Sequence, residues 1–146
     1  MSKMTKSITV PLSATDIYDL WLDLENIHDF WPYVKSVEPL SRHKSYWTML
    51  APDGTLLYWD EKVTLLEEDS RIAWRSTGGD VSTSGMITLE KINNDETNVS
   101  MTLHFEPDPS LEEGKANEIF ADEEGFLDLI LRNFRAYAIQ DWEHIK

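Results

Sequence analysis

Glu61 is a carboxylate on a strand face that is otherwise apolar. In the segment 55–66 the odd positions are apolar, namely Leu57, Trp59, Val63 and Leu65, and the even positions include Tyr58, Asp60, Lys62 and Thr64. Because successive side chains of a strand point to opposite faces, Glu61 is predicted to face inward with the apolar set. Burial would raise its pKa towards neutrality, as a general acid or base requires. Glu61 is therefore the candidate catalytic residue.

Two structural interpretations of Glu61 stay open beside the catalytic one. The residue could lie at the rim of the sheet, or at a bulge that resets the alternation of faces. It could also be a buried polar partner for a neighbouring strand, because buried polar groups are normally hydrogen-bonded.

Four tryptophans are spread one per segment along the first half of the chain: Trp31, Trp47, Trp59 and Trp74. One aromatic ring contributed by each segment is typical of the lining of an apolar cavity, since ligand pockets are lined mainly by apolar and aromatic side chains. The alternative is core packing, with each indole N–H bonded to a neighbour. For Trp31, which precedes Pro32, a structural cap is the favoured interpretation.

The inward positions of the other strands, together with one face of a C-terminal helix, complete the predicted binding site. Alternation places Ile72, Trp74 and Ser76 on one face, and the last helix carries an apolar stripe that runs as far as Ile145. The predicted ligand-binding residues are Trp47, Leu57, Trp59, Trp74, Ser76, Ile87, Met101, Leu103, Leu127, Ile130, Leu131 and Phe134.

No pattern of metal, thiol or phosphate chemistry is present in the sequence. The chain has no cysteine, and its four histidines, His28, His43, His104 and His144, lack metal-ligand spacing. The run Gly78-Gly79-Asp80 lacks the lysine and following helix of a phosphate loop, so it is predicted as a hairpin loop at the cavity mouth. No metal and no cofactor are predicted.

The order of predicted elements is one strand, two short helices, about six strands and one long helix. Ser13 is predicted to cap the first helix, and Asn26 the second. From residue 34 the period changes to two, which is typical of strands, and the segment from 122 onward reads as an amphipathic helix. Strands followed by a covering helix predict an α+β fold with an antiparallel sheet of six to seven strands.

Composition limits the classes of partner. The 146 residues fit a single domain spanning 1–146, and the net charge of −14 disfavours nucleic acid and anionic membrane surfaces. The polar segment 1–6 lacks the apolar region of a signal peptide, and no apolar run is long enough for stable membrane insertion. A cytoplasmic protein is expected. The sequence makes no prediction of oligomeric state.

Several motifs follow one another in a distinctive order along nearly the whole chain. They are Pro11-Leu12-Ser13-Ala14, then Leu24-Glu25-Asn26-Ile27 with Phe30-Trp31-Pro32, and then Tyr58-Trp59-Asp60, Ile72-Ala73-Trp74-Arg75-Ser76 and Gly85-Met86-Ile87-Thr88-Leu89. This order resembles the START-like superfamily, which includes the Bet v 1-like proteins and the polyketide cyclase/dehydrase (SRPBCC) group. The resemblance implies a helix-grip fold, in which a curved sheet wraps around a long C-terminal helix with a cavity between them. It assigns no catalytic residue, because the superfamily has no universal catalytic motif.

Three functions are compatible with these observations. The leading hypothesis is carrier-like or non-catalytic binding of a hydrophobic small molecule, such as a lipid, quinone or aromatic polyketide, in a cavity between the sheet and the C-terminal helix. The second is a polyketide cyclase/dehydratase-type enzyme that uses Glu61 as acid or base. The third is a protein interaction or co-chaperone-like module with a filled cavity and an exposed apolar patch.

Overall fold

The computed structural model describes the backbone of residues 4–145 and the side chains of residues 4–140. Residues 1–3 of the polar N-terminal segment, and the side chains of His144 and Ile145, lie outside this range. Within it, none of the helices combines the length and apolar composition needed to span a bilayer.

Seven antiparallel strands form one sheet with the order β1-β7-β6-β5-β4-β3-β2. The strands are β1 (Met4–Val10), β2 (Val34–Ser41), β3 (Lys44–Leu50), β4 (Leu56–Glu67), β5 (Arg71–Gly79), β6 (Val81–Asn93) and β7 (Glu96–Pro107). The edge strands are β1 and β2. Strand β1 pairs only with β7, which is distant in sequence, whereas every other neighbouring pair is consecutive in sequence. Five consecutive hairpins therefore bring residues 34–107 into one continuous surface.

The helices fill the breaks in this series of strands. Helix α1 (Ala14–Leu22) and a 3-10 helix (Leu24–Asp29) connect β1 to β2, and α2 (Asn117–Phe120) and α3 (Glu123–Ile145) follow β7. Ser13 caps α1 as predicted, because its Oγ accepts a hydrogen bond from the Asp16 amide at 3.2 Å. The prediction that Asn26 caps the second helix is wrong, since that helix begins at Leu24 and Asn26 donates its side-chain amide to Asp23 at 2.6 Å.

Helix α3 packs along the inner face of the sheet and supplies most of the core opposite it. Leu127, Ile130 and Phe134 are completely buried. The Phe134 ring lies 4.6 Å from the Trp21 ring and so joins α3 to α1. At the edge of the sheet, Arg135 Nε donates to the Thr9 carbonyl of β1 at 3.0 Å. The long helix is thereby fixed to both the sheet and the first helix.

Two irregularities interrupt the pairing of β4 with β5. The first lies between Asp60 and Glu61, and the second between Val63 and Leu65. Bulges of this kind bend a strand and increase its twist. They lie where the two strands pass beneath α1 and the 3-10 helix, and they shape the candidate site.

The predicted hairpin loop at Gly78-Gly79-Asp80 is shorter than expected. Asp80 connects β5 to β6 as predicted, but Gly78 and Gly79 belong to β5, where they pair with Asp60 and Trp59. Gly79 has φ of 121°, and a Cβ there would lie 2.6 Å from the Trp59 Cα. The glycines therefore permit close approach of two strands, and they do not line the cavity described below.

Candidate functional site

A largely apolar cavity of about 200 Å³ lies beneath α1 and the 3-10 helix, against β3, β4 and β5. We call it the tryptophan cavity. Its described lining consists of Trp21, Leu22, Leu24, Ile27, Trp31, His43, Trp47, Glu61, Val63, Leu66, Ile72 and Trp74. Leu22, His43 and Leu66 are exposed, so they form its mouth, whereas the tryptophans and Glu61 are buried.

Indole rings make up much of the wall. Trp31 stands edge-on to Trp47, with ring centroids 5.4 Å apart, and edge-on to Trp74 at 6.0 Å. Trp21 closes the group, 6.3 Å from Trp31 and 6.5 Å from Trp74. Because edge-to-face aromatic pairs have a preferred geometry, the rings hold one another in place. The wall is therefore preorganised.

The hydrogen-bonding partners of these indoles differ in an informative way. Trp47 Nε1 donates to Ser45 Oγ at 2.9 Å, and Trp59 Nε1 donates to Glu61 Oε1 at 3.3 Å. Trp31 Nε1 is buried and, among the described residues, has no acceptor. An unpaired buried donor costs about 1–3 kcal/mol. Trp31 therefore lines the cavity and carries an N–H that is unpaired among the described residues.

Glu61 contributes a buried carboxyl group to the lining of the cavity. Its side chain is only 8% exposed, and burial raises its pKa from 4.5 to about 8, although the hydrogen bond from Trp59 opposes the shift. The residue pairs with Ser45 on β3 and with Ser76 on β5. At neutral pH Glu61 is therefore mainly a neutral carboxylic acid, which can donate as well as accept a hydrogen bond.

The predicted ligand-binding residues divide into three groups. Trp47 and Trp74 line the cavity together with Glu61. Trp59 lies behind Trp47, with its ring stacked at 5.6 Å, and Ser76 Oγ accepts from the Thr83 amide at 3.0 Å. The remaining residues are buried in the packed core between the sheet and α3, at most 3% exposed, and are Leu57, Ile87, Met101, Leu103, Leu127, Ile130, Leu131 and Phe134.

The cavity thus lies at a different place from the one expected. Of the described side chains of α3, none is among its lining residues. Large side chains such as Phe105 and Phe134 fill the space between helix and sheet, and both are at most 1% exposed. The tryptophan cavity lies instead where α1 and the 3-10 helix cover β4 beside the irregular β4–β5 pairing.

Sequence reasoning missed two polar residues of the site. Trp31 was interpreted as a structural cap, and His43 only as a histidine without metal spacing. His43 occupies the turn between β2 and β3 with φ of 69°, and its carbonyl accepts from the Val63 amide at 2.8 Å. The even spacing of tryptophans was the one available signal for Trp31. For His43 there was none, because turn residues follow no alternation.

Metal ligands are not gathered at this site. Within the part of the chain that the structure describes, no three His, Cys, Asp or Glu side chains are grouped in a way that could hold a metal ion.

Comparison with known proteins identifies a matching protein family and a related protein. A family model described as polyketide cyclase/dehydrase and lipid transport matches residues 10–125. An uncharacterized 17.2 kDa protein of Streptomyces lincolnensis is 28% identical over 108 residues, which are 74% of this chain and 71% of the relative.

Two solved structures illustrate the fold. A START superfamily protein from Mycobacterium smegmatis superposes with a TM-score of 0.77 at 18% identity, over 94% of this chain and 97% of its own. The Zhui aromatase/cyclase from a Streptomyces species superposes with a TM-score of 0.74 at 18% identity, over 95% and 94% of the two chains. At this identity the likeness shows the fold alone. The predicted α+β helix-grip architecture is confirmed.

Proposed function

The chain belongs to the polyketide cyclase/dehydrase and lipid transport family, and from that premise we propose that it binds a small hydrophobic molecule in the tryptophan cavity. One observation carries the proposal. An apolar, aromatic cavity is lined by Trp31, whose buried indole N–H has no acceptor among the described residues. A ligand with an oxygen acceptor would satisfy this donor while its apolar part occupies the remaining space.

The volume of the cavity limits the size of the buried part of the ligand. At about 200 Å³ it is smaller than typical ligand pockets, which begin near roughly 300 Å³. An apolar cavity of roughly 150 Å³ accepts benzene. A short acyl chain, or one to two rings, is therefore the expected occupant, with its carbonyl or hydroxyl oxygen near Trp31 and Glu61.

A cavity-filling variant tests this proposal. Leu24 lines the cavity and is half-buried, so Leu24→Trp should fill the space without disrupting the core. The matched control is Leu40→Trp. Leu40 lies on β2, is 55% exposed and does not line the cavity. In calorimetric titrations with 1-decanol, the wild type and Leu40→Trp should bind, and Leu24→Trp should lose at least roughly tenfold in affinity. Equal affinity of all three proteins would contradict the proposal.

A second function, acid catalysis by Glu61, is supported by a separate observation. The carboxyl lies in the cavity wall with its pKa raised to about 8, which suits a proton donor near neutral pH. In the dehydration of a β-hydroxy ketone, Glu61 would protonate the departing hydroxyl and release it as water. The α-proton would pass to solvent, and Trp31 Nε1 would hold the carbonyl oxygen.

The dehydration of 4-hydroxy-4-phenyl-2-butanone to its conjugated enone tests this second function by absorbance. Glu61→Gln should lose roughly a hundredfold or more in rate, and the wild-type rate should fall above about pH 8 as the acid is consumed. Full turnover by Glu61→Gln would contradict acid catalysis but not binding. The third hypothesis, an interaction module with a filled cavity, has less support because side chains leave about 200 Å³ of the tryptophan cavity unfilled.

A further inference from the structure

Four basic side chains line a groove of about 410 Å³ that is distinct from the tryptophan cavity. We call it the basic groove and define it by its four permanent cations, Arg42, Lys44, Lys62 and Arg75. The chain as a whole has 27 acidic and 13 basic residues, so a groove lined by four cations runs against its overall charge. The proposed binding function makes no use of these side chains.

Three of these cations project from the outer face of the sheet, away from the cavity. Lys62 follows Glu61 in β4, and Arg75 follows Trp74 in β5. Both Glu61 and Trp74 are buried and line the cavity. Because successive side chains of a strand point to opposite faces, Lys62 and Arg75 lie on the other side of the sheet. Lys44 of β3 pairs in register with Lys62 and shares its face.

The three cations form a row across adjacent strands. Lys44 pairs with Lys62, and Lys62 pairs with Arg75. Neighbouring strands lie about 4.8 Å apart, so the row spans roughly 10 Å at the backbone. Like charges directly opposite each other destabilise an antiparallel pair. The next position in register, Ser84 of β6, is uncharged and does not neutralise the row.

The row also lacks an ion-pair partner within the described part of the chain. The ion pairs found there have as their basic members Lys6, His28, Arg71, His104, Lys115 and Arg132. None of these pairs includes a cation of the basic groove. Asp60 holds the preceding outward position on β4, opposite Tyr46, but forms no ion pair with Lys62. An anion from solution is therefore the simplest compensating charge.

Two irregularities enclose the segment of the β4–β5 ladder that carries the row. One interruption precedes Glu61 and the other follows Val63, so three consecutive pairs join the strands between them. Lys62 and Arg75 form the middle pair. The repulsion between like charges therefore acts where the ladder is only three pairs long. An anion that bridges the two side chains would strengthen this segment.

We propose that the basic groove binds a small multivalent anion of the diphosphate kind across β3, β4 and β5, at a site separate from the tryptophan cavity. Lysine and arginine donate charge-assisted hydrogen bonds to phosphate oxygens. A diphosphate carries enough charged oxygens to contact the whole row, whereas a single carboxylate does not. The site does not depend on the proposed binding function.

The size of the groove favours a small anion over a macromolecular one. Electrostatic attraction to the row is screened beyond about 8 Å at physiological ionic strength. A nucleic acid or an anionic membrane extends farther than that and meets the surface of a chain with a net charge of −14. A small anion in the groove is exposed mainly to the local cations.

Calorimetric titration with pyrophosphate at low salt tests the inference, with acetate at the same ionic strength as the monovalent comparison. The groove variant is Lys44→Gln/Arg75→Gln, whose two side chains are exposed. The control is Lys35→Gln/Lys91→Gln, which changes the net charge equally at exposed sites outside the groove. A long-range effect of net charge alone would therefore be equal in the two variants.

We expect the wild type and the control to bind pyrophosphate with similar affinity. The groove variant should bind it at least about tenfold more weakly, because two charge-assisted contacts are lost. Acetate should bind none of the three proteins measurably. Failure of pyrophosphate to bind the wild type, equal affinity of the wild type and the groove variant, or acetate binding as tight as that of pyrophosphate would overturn the inference.

Urea titrations show whether the row serves the fold instead. Without pyrophosphate, the groove variant should be at least as stable as the control, because it has lost the repulsion between like charges. Saturating pyrophosphate should stabilise the wild type and the control, but not the groove variant. Lower stability of the groove variant than of the control would assign the cations a structural role and overturn the inference.

Two further arms test where the anion binds and what kind it is. His43 and Val63 line both the groove and the cavity, so Leu24→Trp, which fills the cavity, separates the two sites. This variant should bind pyrophosphate as the wild type does, and loss of binding would place the anion in the cavity and overturn the inference. Groove-dependent binding of phosphatidylserine vesicles, without binding of pyrophosphate, would assign the groove to a membrane surface and likewise overturn it.

Discussion

At the scale of residues, Glu61 and Trp31 determine what the cavity can do. Glu61 provides a neutral acid in the wall, and Trp31 provides an unpaired donor. The alternation of the segment 55–66 was sufficient to predict that Glu61 faces inward. It was not sufficient to locate the cavity, because empty space depends on how the large side chains of separate elements fit together. Trp31 precedes β2 and takes part in no alternation, so sequence alone left its role open.

Titration of Glu61 gives a prediction for stability. The folded-state pKa of about 8 lies above the ordinary value of 4.5, so the folded protein retains this proton between the two values. Its contribution to the free energy of unfolding is therefore complete below about pH 4.5 and is lost as the pH rises towards 8, at about 1.4 kcal/mol per pH unit. In urea titrations from pH 5 to 8, the wild type should lose stability relative to Glu61→Gln.

Glu90→Gln is the control for this experiment, because the Glu90 side chain on β6 is exposed and stays hydrated in the folded state. Its curve should run parallel to that of the wild type. A constant difference between wild type and Glu61→Gln over the same pH range would show that Glu61 is not buried as a neutral acid.

At the scale of elements, the strands were predicted well because each has one buried face and therefore an alternating sequence. The errors fall where local composition and tertiary packing disagree. Gly78 and Gly79 were interpreted as a loop because glycine is common in turns, yet they extend β5 beside Trp59. The two irregularities of the β4–β5 pairing leave Thr77 of β5 and Thr64 of β4 without a partner in register, and no pattern in the sequence signals either.

Gly85 supports the cavity wall from behind, and its substitution gives a prediction at this scale. It pairs with Trp74, and a Cβ at Gly85 would lie 2.7 Å from Trp74 Cε2. Gly85→Ala should therefore displace the ring, lower the free energy of unfolding by about 1–3 kcal/mol, and weaken 1-decanol binding. Gly78→Ala is the control, because a Cβ there meets nothing within 4 Å. Equal stability of the two variants would contradict the packing of Trp74 on Gly85.

At the scale of the whole molecule, charge limits the class of partner. The net charge of −14 disfavours polyanionic partners. The chain belongs to the polyketide cyclase/dehydrase and lipid transport family and has the helix-grip fold. Its cytoplasmic location stays a prediction.

A single domain spanning 1–146 also stays a prediction, and unfolding tests it. Helix α3 shares its core with the sheet and with α1, through Phe134 and Trp21, so none of these elements has a core of its own. Far-ultraviolet circular dichroism and tryptophan fluorescence should therefore give coincident urea transitions. Two separate transitions would contradict a single cooperative unit.

The most direct test of the central claim, that a ligand occupies the tryptophan cavity, is a titration of the indole N–H resonances with 1-decanol by NMR. The Trp31 resonance is assigned from its loss in Trp31→Phe. We predict that it shifts most, and downfield, because Trp31 Nε1 gains an acceptor where the described residues provide none. The Trp47 resonance should move less, since its N–H already bonds to Ser45. An unchanged Trp31 resonance at saturating 1-decanol would contradict the account.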